Sequence, residues 1–350
     1  MAPENVKPIV SLGIESSANK VGVGIVTSEG KILANVKRTF VGKPGFGFLP
    51  KETADFHRNN ILELVKEALI ESGIDKSSIC IISFTQGPGM GAPLSVGALV
   101  ARVLSRLWNK PLIGVNHCVA HIEMGRLVTN ANNPIILYAS GGNTQIIGYA
   151  NKRYKILGET LDIAIGNCID RFARLMKLDN YPAAGYHIEQ MAKNGKNLIS
   201  LPYVVKGMDL SFSGILTYGE ELIENKQKEY KDDELNLKSF YHDFCFSLQE
   251  TLFSMLIEVT ERAMSLVNSD SVLLVGGVGC NLRLIQMMEI MAHERGAKVC
   301  SMDDSYCIDN GAMIAHTGIL EYSKGKVTNI EDSSVSQKYR TDQVEVLWRD

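Results

Sequence analysis

Three short apolar strands separated by polar turns open the chain: IVSLGIESS from Ile9, then VGVGIVT, then KILANVKRTF ending at Phe40. The first polar tip is Glu15-Ser16-Ser17-Ala18-Asn19, and Ser28-Glu29-Gly30 makes the second turn. From Ile135 to Glu159 the same order returns as IILYASGGN, TQIIGYA and KRYKILGE. Apolar strand, Ser/Gly/Asn-rich tip, apolar strand, short turn and third strand, met twice, predict a diverged internal repeat with one copy opening each half. Two such hairpins facing each other would form a cleft with a polar tip on each side.

The segments between the copies supply helices. The pattern predicts a helix from about Thr53 to Ser72, with Ile61, Leu64, Val65, Ala68 and Leu69 on its apolar face and Gly73 as its stop. A short strand, Ile79 to Thr85, runs into GPGMGAP, which reads either as a phosphate-approaching loop or as a tight strand-to-helix turn. The helix after it, Leu94 to Trp108, is apolar nearly all round and is expected between layers. In the second half, helices are expected over Leu161 to Leu178, around Glu189, and over Phe244 to Leu266, with a charged surface segment at Asn225 to Leu237. A buried strand, Val272 to Val275, runs into Gly276-Gly277-Val278-Gly279-Cys280-Asn281, and a further helix ends at Gly296. Hairpins mixed with buried helices, duplicated, imply an α/β protein of two similar lobes, 1–130 and 131–350, with the last helix and tail free to pack back on the first lobe.

Length and charge narrow the setting. At 350 residues the chain suits two domains rather than one core. Apolar content of 45% with 21% charged residues describes a soluble globular protein, and no apolar run approaches bilayer length. The N-terminus MAPENVKPIVSLG has no apolar h-region and leaves no room for a targeting peptide before Ile9. Seven cysteines without a CxxC pair suit reduced thiols in a cytoplasmic or nuclear compartment. A net charge of −3 gives no overall attraction to nucleic acid, so such a partner must meet a local patch or helper subunits.

Candidate chemistry gathers between Pro111 and Thr144. Asn116 is placed to cap a short helix reaching about Gly125, on which His117 and His121 stack at i and i+4, where two imidazoles can share one metal ion. Packing or hydrogen bonding between the two rings is the competing reading. Asp309, read as following a strand and preceding Asn-Gly, either completes a two-histidine, one-carboxylate ligand set or caps the last helix. Tyr138 is an additional ligand or an ordinary half-buried aromatic. Ser140-Gly141-Gly142-Asn143 is a hairpin turn or a backbone cradle for an anion. The GGVGCN loop would let a helix approach a flat ring, with the Asn281 amide free to hydrogen-bond an adenine or ribose. Asp170 and Glu189 could accept from ribose hydroxyls, or are surface carboxylates. The other histidines, His57, His187, His242, His293 and His316, have no partner at ligand spacing. A zincin protease is disfavoured because Glu123 lies outside the histidine pair, and a sugar-kinase phosphotransferase because the first tip carries Glu15 and serines where an aspartate is required.

NHCVAHIEMGR, YASGGNTQ, GNCIDRFAR, GGVGCN, CIDNGAMIA and the terminal QKYRTDQVEVLWRD together closely resemble the eukaryotic and archaeal tRNA threonylcarbamoyltransferase subunit of the KEOPS complex, a family once named O-sialoglycoprotein endopeptidase. The resemblance covers Gly13 to Asp350. It departs at Glu15-Ser16-Ser17, where family members often carry Glu-Gly-Ser. It implies an actin-like, sugar-kinase-like (ASKHA) fold and transfer of threonylcarbamoyl from threonylcarbamoyl-AMP to N6 of the adenosine beside the anticodon, in tRNAs reading codons that begin with A. It implies His117, His121 and Asp309, with Tyr138 as a further option, around one divalent metal (iron or zinc, with magnesium an option beside nucleotide) that polarises the carbamoyl carbonyl. Tyr138, Ala139, Ser140, Gly141, Gly142, Asp170, Gly185, Glu189 and Asn281 would hold the adenylate. Glu15 is the candidate to orient the amine or take its proton. Implied partners are tRNA and the KEOPS subunits, among them a small kinase-like protein and a small dimerising one, with no membrane and a cytoplasmic and nuclear location. Lys37, Arg38, Lys43, Lys51 and Arg58 around KPGFGFLP are the one basic stretch near the cleft, so the chain alone is expected to bind tRNA weakly. The remaining alternatives are an ATP-dependent phosphotransferase or ATPase of this fold, and a nucleotide-bound scaffold without chemistry.

Overall fold

The computed structural model describes residues 7–43 and 46–349. Residues 1–6, Pro44, Gly45 and Asp350 lie outside the described residues, and with them most of the N-terminal stretch read for targeting, the centre of KPGFGFLP and the end of the tail. In chain order the elements are β1 (Val10–Glu15), β2 (Lys20–Thr27), β3 (Ile32–Thr39), α1 (Pro50–Ser72), β4 (Ile81–Gly87), α2 (Gly91–Trp108), β5 (Leu112–Asn116) and α3 (His117–Thr129). There follow β6 (Ile135–Ala139), β7 (Thr144–Ala150), β8 (Arg153–Glu159), α4 (Ile165–Leu175), α5 (Ala184–Ala192), β9 (Val205–Lys206), β10 (Asp209–Leu210), α6 (Ser213–Glu229) and α7 (Glu234–Val267). The chain ends with β11 (Ser271–Val275), α8 (Leu282–Glu294), β12 (Lys298–Cys300), α9 (Asp304–Cys307) and α10 (Gly311–Ser323).

Two five-stranded sheets carry the repeat. Their orders, β3-β2-β1-β4-β5 and β8-β7-β6-β11-β12, are the same arrangement met twice. In each, three strands meander antiparallel and two more join in parallel beside the first. The parallel positions are covered on both faces, which is why β4 and β11 read as near-continuous apolar runs. Both first strands therefore end at one kind of place, a strand tip beside a parallel neighbour, where α/β sheets bind ligands.

The last helix belongs to the first sheet. α10 lies on β1 and β2 so closely that a Cβ on Gly24 would stand 2.1 Å from the Ala312 nitrogen, and one on Gly13 2.2 Å from that of Ala315. Beyond it the tail straps the lobes together. Ser336 donates its N–H to the Gln86 carbonyl at 2.8 Å and Asn116 Nδ2 donates to the Tyr339 carbonyl at 3.0 Å, both in the first sheet. Arg340 then meets Glu159, and Arg349 stacks 3.8 Å over the Tyr149 ring in the second.

Several elements differ from the sequence pattern for identifiable reasons. α2 is not buried all round: Leu99, Val103 and Leu107, one helical turn apart, are 58%, 54% and 73% exposed, because only its opposite side meets α1 and β4. α3 runs past Gly125 to Thr129 and stops at Asn130, which takes the left-handed conformation. Asp162 does not ride on a helix; it accepts from Ile163 N–H, Phe212 N–H and the Ser211 and Ser213 hydroxyls, so α4 starts only at Ile165. The charged segment 225–237 is mostly the end of α6 and the start of α7. The GPGMGAP turn is used internally, Met90 N–H donating to the Ser17 carbonyl at 2.7 Å and Gly89 N–H to the Gln337 carbonyl at 3.4 Å.

Candidate functional site

The site begins at the junction of β5 and α3. Asn116 closes the strand, and its Oδ1 accepts the Val119 N–H at 3.0 Å, capping the helix as its residue type predicts. That cap fixes the first turn, and i, i+4 spacing stacks the two imidazoles edge to face with ring centres 4.7 Å apart. Asp309 arrives from the far end of the chain. It follows the short helix α9, not a strand, and it does not cap α10: Asn310 does, its Oδ1 accepting the Met313 N–H at 3.0 Å. Freed from that task, Asp309 points Oδ1 at His121 Nε2 (3.1 Å) and His117 Nε2 (3.4 Å).

His117, His121 and Asp309 offer ligand atoms that all lie within 4.8 Å of one another, the only such three-residue group among the described residues. Their surroundings fit a cation. Glu15 is fully buried and accepts from Ser17 N–H (2.6 Å), the Thr85 hydroxyl (2.6 Å) and His117 Nδ1 (3.1 Å). A carboxylate can only accept, so Nδ1 donates to Glu15, while Nε2, facing Asp309, is the atom on which a cation would take the place of a proton. Burial alone would raise the Glu15 and Asp309 carboxyls. His117 holds Glu15 below the ordinary range, and Lys20 with the two histidines holds Asp309 well below it. For His117 the two carboxylates outweigh burial and push it well above the usual value; for His121 burial prevails and lowers it. His121 Nδ1 is buried without a hydrogen-bond partner. Two buried carboxylates around two imidazoles thus call for positive charge at their centre, which a divalent ion on these donors would supply.

Tyr138 joins this cluster to the second tip. Its ring lies 5.4 Å from that of His121, and burial pushes its phenol well above the usual value. Ala139 is buried beneath the tip, where Ser140 Oγ accepts the Asn143 N–H at 3.0 Å. Gly141 and Gly142 are exposed, and a Cβ on either would meet nothing within 4 Å. Nothing inside the chain requires glycine there, and the tip stands open to solvent.

The remaining expected residues frame the same side of the second lobe. Asp170, on α4, is pushed up to about 6 by burial, with Arg174 and Lys20 only partly offsetting it. Gly185 opens α5 against Ile169. Glu189 accepts the Leu282 N–H at 3.1 Å and so holds the start of α8. Asn281 is not free: Oδ1 caps α8 through Arg283 and Leu284 N–H, and Nδ2 donates to Gln249. A helix start needs such a cap, and Asn281 stands at that position. The basic stretch is half neutralised, Arg38 pairing with Glu67 and Arg58 with Asp55. Sequence reasoning missed Lys20, whose Nζ lies 3.7 Å from Asp309 Oδ2; its one signal is a lone cation at the end of an otherwise neutral polar tip.

Comparison with known proteins supplies the chain's family. Residues 31–316 match the family model described as tRNA N6-adenosine threonylcarbamoyltransferase (TsaD). The chain is 58% identical over 347 residues to a Drosophila melanogaster protein named probable tRNA N6-adenosine threonylcarbamoyltransferase, covering 98% of this chain and 99% of that one. It is 57% identical over 339 residues to the Homo sapiens protein of that name, covering 97% and 99%. Among solved structures it resembles T. kodakarensis HypF, with a TM-score of 0.61 and 14% identity over 91% of this chain but only 49% of that one. Component A of Acidaminococcus fermentans (R)-2-hydroxyglutaryl-CoA dehydratase gives 0.53 and 13%, over 90% and 98%. At such identity these two speak for the two-lobed fold alone.

Proposed function

Because the chain belongs to the tRNA N6-adenosine threonylcarbamoyltransferase family, and is thus a transferase that forms t6A on tRNA, we propose how its cleft carries out that transfer. The donor is threonylcarbamoyl-AMP, and the acceptor is the adenosine beside the anticodon in tRNAs reading codons that begin with A. Its N6 amine forms a bond to the carbamoyl carbon, the bond from that carbon to the phosphate oxygen breaks, AMP leaves, and N6 gives up one proton. The observation that carries the reading is the convergence of His117, His121 and Asp309 beside an open glycine tip, joined through Tyr138.

His117, His121 and Asp309 would hold one divalent metal, iron or zinc, which when bound supplies Lewis-acid polarisation of a carbonyl. Tyr138 is the further candidate ligand. The chain's own groups do the rest. Glu15 orients His117 from behind, and its full burial with three partners favours that positioning role over contact with the amine. The backbone at Ser140 to Gly142, with Ala139 beneath, receives the adenylate's charge. Asp170 and Glu189 would accept from ribose hydroxyls, Gly185 would leave room beside them, and Asn281, its side chain committed to the start of α8 and to Gln249, would border the adenylate.

Replacing His117 or His121 by Ala is expected to remove bound metal and to lower t6A formation by a factor of about a thousand. Full activity with no metal bound would refute the proposed ligand set. The reading extends to assembly. With a net charge of −3 and two of its cleft arginines paired, the chain alone should bind tRNA weakly, and KEOPS-type subunits, a small kinase-like protein and a small dimerising one, should raise both binding and turnover. A reducing cytoplasmic and nuclear setting is supported by seven free thiols. No helix among the described residues is long and apolar enough to cross a membrane.

A further inference from the structure

Lys20 and Lys37 share one face of the first sheet. In the β2–β3 ladder Lys20 pairs with Thr39 and Gly22 with Lys37, so the two lysines are diagonal neighbours with only a glycine between them. Like charges so placed repel unless an anion sits between them. Lys20 Nζ donates to Asn19 Oδ1 at 3.0 Å and stands 3.7 Å from Asp309 Oδ2, its side chain 22% exposed. Asp309 is already shared with both histidines. Lys37 Nζ reaches only the Ser305 carbonyl at 3.5 Å, and among the described residues Asp309, Asp304 and Asp303 act on it only from beyond ion-pair distance. Lys37 therefore has no carboxylate in direct contact.

We propose that Lys20 and Lys37 form an anion subsite that takes the free carboxylate of the amino-acid part of the transferred group. The inference rests on the reaction proposed above. The carboxylate is favoured over a phosphate because Lys20 touches the ligand set itself, where the transferred group must lie, whereas the donor's phosphate faces the open tip of the other lobe. No other part of the donor brings a negative charge to this side.

The test uses hydrolysis-resistant analogues of threonylcarbamoyl-AMP, one with the natural carboxylate and one with a carboxamide in its place. Calorimetry on the full chain should show the natural protein preferring the acid by about ten- to a hundredfold, the range of a charge-assisted contact. Lys20→Met and Lys37→Met should each lose most of that preference while AMP affinity stays unchanged, and Lys20→Arg should restore part of it. Bound metal is quantified alongside, and Lys37→Met, which removes no direct contact of Asp309, separates a lost anion contact from a disturbed ligand set. The proposal is overturned if both variants keep the preference, or if acid and carboxamide weaken equally. It is overturned in favour of an RNA phosphate if only the KM for tRNA rises. Failure of the natural protein to form t6A would instead count against the proposed reaction, and the two analogues would still judge the lysines.

Discussion

The two hairpin tips descend from one pattern and do opposite things. At the first, Ser16, Ser17 and Asn19 are buried, the Gly89 turn presses on Ser17, and the strand's last residue, Glu15, faces inward to hold His117. At the second, the strand ends in Ala139, and Ser140-Gly141-Gly142 stands open, with room for a Cβ on either glycine. One copy is sealed into a support for the candidate ligand set; the other leaves its backbone exposed. A duplicated scaffold thus gains a site by closing one half, since two open tips would leave the histidines unsupported and two closed ones would leave no room for substrate.

The contrast can be broken most sharply with two glycine substitutions. Gly89→Ala would put a Cβ 2.5 Å from the Ser17 carbonyl, against backbone that cannot swing aside, and should destabilise the protein by about 3 kcal/mol or more in chemical denaturation. Gly142→Ala should leave stability within about 0.5 kcal/mol yet weaken adenylate binding; equal unfolding of both variants would erase the distinction. Next comes Asp170 beside the open tip. Its folded pKa of about 6 lies above the ordinary 3.8, so the folded state keeps its proton longer and the cost of ionising it grows as pH rises from about 4 to 6. Asp170→Asn should therefore stabilise the protein at pH 7 by up to about 3 kcal/mol, with the gain vanishing below pH 4 in thermal melts. Glu15→Gln keeps the shape of the closed tip but removes the charge behind His117, and metal affinity measured against a competing chelator should fall about ten- to a hundredfold. An unchanged affinity would make the closed tip mere packing. The smallest effect belongs to Lys43→Ala, which should lower the slope of log affinity for tRNA against log salt by about one.

Much of this was legible in the chain. A repeat of apolar strands survives divergence because each strand must still bury its side chains, so the two sheets could be read from Ile9 to Phe40 and Ile135 to Glu159. The histidine pair of the candidate ligand set was legible because i, i+4 histidines share one face. What stayed hidden depended on distant neighbours. Whether α2 is covered all round is decided by what packs on it, not by its own composition. Asn281 looked available because capping is a use visible only when the helix start is located to the residue. Asp309 was ambiguous until Asn310 took the cap. Lys20 escaped notice since its meaning comes wholly from a carboxylate 289 positions away in sequence, as the pair Lys20 and Asp309 shows.

The placement of α10 also sets a timetable. β1 and β2 leave the ribosome before the other described strands, yet the surface they bury is the backbone of residues 311–323, made after every described strand. The second sheet has all its strands by Cys300, and one of its faces is in turn covered by Val344 and Val346 of the tail. During synthesis both sheets must therefore wait, the first with its glycine-lined face bare until α10 is made. A newborn chain stalled before Gly311 should expose that face to proteases and chaperones, and the ligand set, which needs Asp309 beside the histidines, is among the last things to come into being.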